Sequence, residues 1–168
     1  GMTVADLGAG SGIFSLMACK LGASKVYAID ISNAVQVGRQ LTRLNGFENQ
    51  VEWIQQNSKT LDLPEQVDLM ITDLRGQMPF LGDNLAVLAD ARDRFLKPDG
   101  ILLPNQDQLW IAPAEAPDDY RKAVYPWGGN DFGFDLSPLE YRHSQCWQEG
   151  RAEEGQLLSE AVKWTTLD

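Results

Sequence analysis

Two hydrophobic rhythms alternate along the first hundred residues. Thr3 to Leu7 is a short apolar run fit for a buried strand. From Ser11 the period changes, and Phe14, Met17, Ala18 and Leu21 fall on one helical face. Ser11 suits the start of that helix and Gly22 its end. Lys25 to Ile29 reads as a second strand, ending at Asp30. Ser32 or Asn33 is placed to cap a second helix with Val37, Leu41 and Leu44 on its apolar face, and Asn45-Gly46 ends it. Val51 to Ile54 and Val67 to Thr72 are the third and fourth strands, the latter running into Asp73. Beyond a loop from Leu74 to Gly82, Leu85, Leu88, Ala89, Arg92 and Phe95 mark a third helix. Lys97-Pro98-Asp99-Gly100 breaks it, and Ile101 to Leu103 form a fifth strand stopped by Pro104. Strands alternating with helices predict an α/β fold, a doubly wound, mostly parallel sheet with right-handed crossovers.

The grammar changes after Pro104. Gln108 to Ala112 reads as a strand, then prolines and glycines crowd the chain. Asp118 to Val124 suits a short helix, while Gln156 to Leu158 and Ala161 to Thr165 suit strands. Residues 1–104 are therefore expected to form one domain, and residues 105–168 the start of a β-rich second one, cut short at Asp168. Trp110, Tyr125, Trp127 and Trp147 are expected in packing at the core and domain boundary. His143 has no sequence partner and reads as a surface residue.

Composition narrows the setting. The 168 residues are 43% hydrophobic and 23% charged, the balance of a globular protein. No run approaches the roughly 20 apolar residues needed to cross a membrane, and the first stretch lacks the basic segment of a signal peptide. The net charge of −10 argues against a nucleic-acid surface. Cys19 and Cys146 are too few and too far apart for a disulfide framework, so a reducing, cytoplasmic setting is expected, with Cys19 buried in its helix. No metal site is expected.

The chemistry concentrates at the strand ends. In an open α/β sheet, ligands bind beyond the carboxyl ends of the strands. Asp6 and Gly8, Asp30, Asn57 and Asp73 should share that edge. Glycines at 8, 10 and 12 let backbone approach a ligand and open a helix N-terminus. Asp30 is placed to accept from both hydroxyls of a ribose. A dinucleotide fingerprint G-x-G-x-x-G would need its last glycine at Ile13 or at Ser15, and fails in both registers. What stands instead is Asp-x-Gly-x-Gly-x-Gly. A carboxylate that close suits an amine-bearing or cationic ligand better than a pyrophosphate.

On Asp6 to Gly12 together with Gly22 to Asp30, the sequence resembles the class I S-adenosylmethionine-dependent methyltransferases. Ala91 to Pro104 narrows this, because it resembles the segment with which the sheet domain of protein arginine methyltransferases ends. Gly133 to Ser137 and Gln156 to Ser159 echo the early barrel of that family. By position, the resemblance implies that Asp6, Gly8, Gly10 and Gly12 hold the methionine end of the cofactor. It implies Asp30, with Ile31 beside it, for the ribose, and Asn57 and Ser58 for the adenine. Asp73 falls where the family carries the first of two glutamates that clamp a substrate guanidinium.

The match departs from the family in five places. Asp73 is shorter than glutamate, the second glutamate position falls at Gly82 beside Asp83, and Arg75 stands at a usually apolar position. The given sequence opens on the first strand and so does not show the helix expected to cover the cofactor, and the Thr-His-Trp segment of the barrel is not found. The implied activity is methyl transfer from S-adenosylmethionine to a protein (arginine-like) or small-molecule nitrogen. A homodimer is compatible with the resemblance. A non-catalytic interaction module of the same fold and a nicotinamide-dependent oxidoreductase stand as the alternatives.

Overall fold

The structure is a computed structural model and describes residues 1–74, 76, 78–80, 82–128, 133–146 and 150–167. Arg75 and Trp147, singled out above, lie outside the described residues. The chain divides after Asp107, just past the expected boundary, into a first unit from Gly1 and a second spanning Gln108–Leu167.

Five strands build the first unit: β1 (Thr3–Leu7), β2 (Lys25–Asp30), β3 (Val51–Gln55), β4 (Val67–Thr72) and β5 (Leu96–Leu103). Three helices connect them: α1 (Ile13–Lys20), α2 (Ala34–Leu44) and α3 (Asn84–Phe95). The sheet order is β3-β2-β1-β4-β5, and every neighbouring pair is parallel. The order reverses between β1 and β4, which is the switch point at which such sheets open a crevice.

Period-two alternation sorts the strands' side chains onto two faces. Val4, Val26, Ala28 and Trp53 pack with Ala18, Cys19 and Val35 from α1 and α2. Ala5, Leu7, Tyr27, Ile29 and Met70 pack with Leu88, Ala91 and Phe95 from α3. Both clusters are buried, as an all-parallel sheet requires. At the amino ends of the strands, Asp68 accepts from the backbone N–H of Thr3 at 2.8 Å and from Lys97 Nζ at 2.6 Å, which ties β1, β4 and β5.

Three local expectations are corrected. On α1 the buried residues are Ser15, Ala18 and Cys19, whereas Phe14, Met17 and Leu21 are exposed, Leu21 to 86%. They line an apolar groove of about 580 Å³ with Met2, Leu69, Ile71 and Leu103, over the part of the sheet face that α1 and α2 leave open. The N-cap is Gly12 rather than Ser11.

On α2 the buried positions are Val35, Gly38 and Thr42, not Val37, Leu41 and Leu44. Trp53 causes this. Its indole lies against Gly38 so closely that any Cβ there would collide with the ring, and its Nε1 donates to Thr42 Oγ1 at 3.3 Å. A bulky apolar stripe could not face that ring.

β5 begins at Leu96, directly after α3, so Lys97 to Gly100 continue the strand with an irregular register instead of breaking it.

The second unit pairs β6 (Asp107–Ile111) with β7 (Val162–Leu167), bridges Ala114 to Leu157, and adds α4 (Pro117–Gly128) and α5 (Ser137–Ser144). Among its described residues helix outweighs strand. The helix expected over Asp118 to Val124 is α4, which Pro117 opens and which carries Pro126 inside it. α5 was not expected, and Pro138 lies in its first turn, where a missing N–H costs little. Trp110 is 58% exposed and Tyr125 is exposed as well, so neither packs in a core. His143 is half-buried and stacks on Trp127, with ring centroids 5.0 Å apart.

Candidate functional site

The glycine-rich turn sits at the switch point because β1 ends there and α1 begins there. Gly8, Gly10 and Gly12 all hold positive φ, at 77°, 55° and 82°. At Gly12 the requirement is double: the left-handed backbone excludes a side chain, and a Cβ would also run into the Trp53 ring. The backbone N–H groups of Gly8 and Ala9 both donate to the Ile29 carbonyl, at 2.9 and 3.0 Å, so the turn is fastened to β2.

Asp30 ends β2 and fastens the turn a second time. Its Oδ2 accepts from the Gly10 N–H at 2.8 Å and its Oδ1 from the Ser32 N–H at 2.7 Å. Burial alone would raise this carboxyl's pKa. The bonds from Ser32, Gly10 and Ile31 outweigh it and hold the group below the usual carboxylate range. Asp30 is therefore an anion throughout neutral pH.

A cleft of about 250 Å³ opens beside it, bordered by Leu7, Gly8, Ile29, Asp30, Ile31, Gln56, Asn57, Ser58, Leu74, Asn84 and Val87. Five positions expected from sequence thus converge: Gly8, Asp30, Ile31, Asn57 and Ser58. Ser58 opens the 3₁₀ turn Ser58–Thr60, and Asn57 caps it by accepting from the Lys59 N–H at 3.0 Å. The apolar walls from Ile29, Ile31, Leu74 and Val87, with a carboxylate and amides between them, suit a flat heterocycle carrying vicinal hydroxyls.

Asp6, Gly10, Gly12 and Asp73 are not in that lining. Asp6 shares the parity of Val4 on β1, so it points toward α1 rather than outward. It is 1% exposed and accepts from Ser15 Oγ at 2.6 Å. Burial raises its pKa to about 6; the Ser15 bonds oppose the rise, and the charges of Asp73 and Asp30 add to it. Asp6 therefore lies behind the turn, sealed from solvent, rather than facing the crevice where sequence reading placed it. Asp73 is exposed and borders the apolar groove beside Phe14 and Pro104. Asp83 lies 3.4 Å from Lys59 Nζ, an exposed pair.

Leu7, Ile29, Gln56, Leu74, Asn84 and Val87 line the cleft as well and were not among the expected site residues. One signal was present: α3 must start at the carboxyl edge after β4, and that puts Asn84 and Val87 in its first turn beside the crevice. Among the described residues, no group of three or more His, Cys, Asp or Glu side chains is placed to hold a metal.

Comparison with known proteins points the same way. A family model described as ribosomal protein L11 methyltransferase (PrmA) matches residues 1–104. A probable protein arginine N-methyltransferase 6 of Arabidopsis thaliana is 33% identical over 146 residues, covering 87% of this chain and 33% of the relative. Protein arginine N-methyltransferase PRMT10 of Oryza sativa subsp. japonica is 35% identical over 133 residues, 76% of this chain and 35% of the relative.

Two solved structures superpose along the whole length. Arabidopsis thaliana protein arginine methyltransferase 10 gives a TM-score of 0.78 at 26% identity, over 100% of this chain and 54% of that one. The Trypanosoma brucei PRMT1 enzyme–prozyme heterotetrameric complex with AdoHcy gives 0.83 at 26% identity, over 99% and 52%. The chain spans about a third of the length of these curated relatives and about half of the solved chains.

Proposed function

Since the chain belongs to the methyltransferase family whose model is described as ribosomal protein L11 methyltransferase (PrmA), we propose that it binds S-adenosylmethionine at the β1–β4 switch point and passes the methyl group to a nitrogen of a protein arginine. The observation that carries this reading is the convergence of Gly8, Asp30, Ile31, Asn57 and Ser58 on one cleft.

The residues fit the cofactor. Asp30 lines the cleft where ribose hydroxyls would lie, and its low pKa supplies the anion that charge-assisted bonds need. Ile31, Asn57 and Ser58 wall the space for the adenine. The turn from Gly8 to Gly12 offers close backbone approach to the amino-acid end, and the N-terminus of α1 lies behind it. Asp6 serves that end from beneath by holding Ser15 in the first turns of α1.

When bound, the cofactor would supply an activated sulfonium methyl for in-line transfer to nitrogen. The protein's part is then positioning and electrostatics. Asp73, exposed at the end of β4, is the carboxylate that would face an incoming guanidinium, concentrate its positive charge on one nitrogen and free the other. The identity with arginine methyltransferases from two plants supports arginine as acceptor. The heterotetrameric Trypanosoma neighbour supports an oligomer, and a homodimer is the assembly proposed. The unpaired Cys19 and Cys146 support a reducing, cytoplasmic setting.

The test is methyl transfer from labelled S-adenosylmethionine to arginine-rich and lysine-rich peptides. Incorporation into arginine alone, lost in Asp73→Ala, is expected. Incorporation into lysine with Asp73→Ala fully active would overturn the acceptor assignment. Cofactor binding without transfer to any peptide would favour the non-catalytic module.

A further inference from the structure

Arg94 lies on the last turn of α3 and bonds both to its own helix and to the turn that carries Ser58. Its Nε and Nη2 grip Asp90 at 3.1 and 2.7 Å, one helical turn back on α3. Nη2 also donates to the Ser58 carbonyl and Nη1 to the Leu61 carbonyl, each at 2.5 Å. These are the carbonyl of the first residue of the 3₁₀ turn Ser58–Thr60 and that of the residue that follows it, so the guanidinium bonds to both ends of the turn that Asn57 caps. The guanidinium also lies over the Phe95 ring, 4.6 Å from its centroid, which fixes its plane against the core. The mutual bond to Asp90 holds the arginine above its usual pKa range and the aspartate below its own.

Asn84 and Val87, on the same helix, form the facing wall of the cleft. One planar fork therefore links α3 to the Asn57–Ser58 turn and sets the gap between them. We propose that Arg94 is a positioning residue of the adenine site: without touching the ligand, it holds the Asn57–Ser58 wall at the spacing that selects the base. This rests on the reading of the cleft as the S-adenosylmethionine site. Lysine could not substitute, because a point charge cannot hold one carboxylate and two carbonyls in a single plane.

The test compares S-adenosylhomocysteine with S-inosylhomocysteine, in which a 6-oxo group and an N1–H replace the 6-amino group and the bare N1, by calorimetric titration of the chain and of Arg94→Lys. The unaltered chain is expected to prefer the adenosyl ligand. In Arg94→Lys that ligand should weaken by about ten-fold, the scale of one lost hydrogen bond, while the inosyl ligand changes little, so the preference collapses. Asp90→Asn, which leaves the carbonyl bonds but loosens the fork, should show a smaller collapse and covers the case of a poorly folded lysine variant. An unchanged preference in both variants overturns the proposal, as does equal weakening of both ligands alongside a lower melting temperature. If the unaltered chain binds neither ligand, the reading of the cleft fails first and takes the proposal with it.

Discussion

Ser15 Oγ donates to Asp6 Oδ2 at 2.6 Å, and both residues are sealed from solvent. The bond links the middle of β1 to the first turns of α1, directly behind the glycine turn. It also leaves a carboxylate buried with only a hydroxyl and a backbone N–H for company. Unfolded, Asp6 titrates near 3.8; folded, at about 6. Between these values the folded chain holds a proton that the unfolded chain has released, so this residue's contribution to stability falls as pH rises through the window. At about 1.4 kcal/mol for each pH unit, a window of that width is worth about 3 kcal/mol. The difference in unfolding free energy between the chain and Asp6→Asn, from urea titrations at about pH 3.5 and about pH 7, should therefore fall by that order. A flat difference would show that Asp6 is not buried as an acid.

Asp30 should behave in the opposite sense. Its carboxyl is held ionised by the Gly10 and Ser32 N–H groups, so no titration near neutrality is expected from it. Asp30→Ala should weaken S-adenosylhomocysteine by roughly 1.5–3 kcal/mol, the scale of hydrogen bonds to a charged group. Unchanged affinity by calorimetry would refute the ribose assignment.

The glycine turn yields a graded prediction. Gly10 has open space where a Cβ would go, and only its positive φ resists substitution. Gly12 has the positive φ and the Trp53 ring as well. Gly10→Ala should cost about 1 kcal/mol and Gly12→Ala about 3 kcal/mol in chemical denaturation. Pairing Gly12→Ala with Trp53→Leu should recover part of the loss, because the collision is removed and the backbone strain is not.

Leu21 and Phe95 both follow a helical apolar spacing, but only Phe95 is buried. Leu21→Gln should shift stability by no more than about 0.5 kcal/mol, whereas Phe95→Ala should cost about 3–5 kcal/mol. Urea unfolding of the two variants separates them.

That contrast shows where sequence reading succeeded. β1 and β4 match their expected spans, because short apolar runs in a parallel sheet are buried on both faces and leave no ambiguity of period. The glycine turn and Asp30 were legible because their spacing has a backbone reason. Helix faces were less so. On α1 the apolar stripe turned to the open groove, since Asp6 needed Ser15 on the inside. On α2 the inward stripe was chosen by the Trp53 ring, which only tertiary packing brings to Gly38. The far wall of the cleft was hidden too, because Asn84 and Val87 reach it from a helix nearly thirty residues downstream of Asn57. In the tail, β6, α4 and β7 fall close to their expected spans, while α5 was missed because Pro138 sits at its start, a position where proline is favoured.

The central claim is that the cleft between Gly8, Asp30 and Ser58 holds S-adenosylmethionine. Its most direct test is a calorimetric titration of the chain with S-adenosylmethionine, S-adenosylhomocysteine and NAD. Saturable one-site binding of both adenosyl ligands, with no heat from NAD, is the result predicted. Binding of NAD, or no binding of either adenosyl ligand, would contradict it.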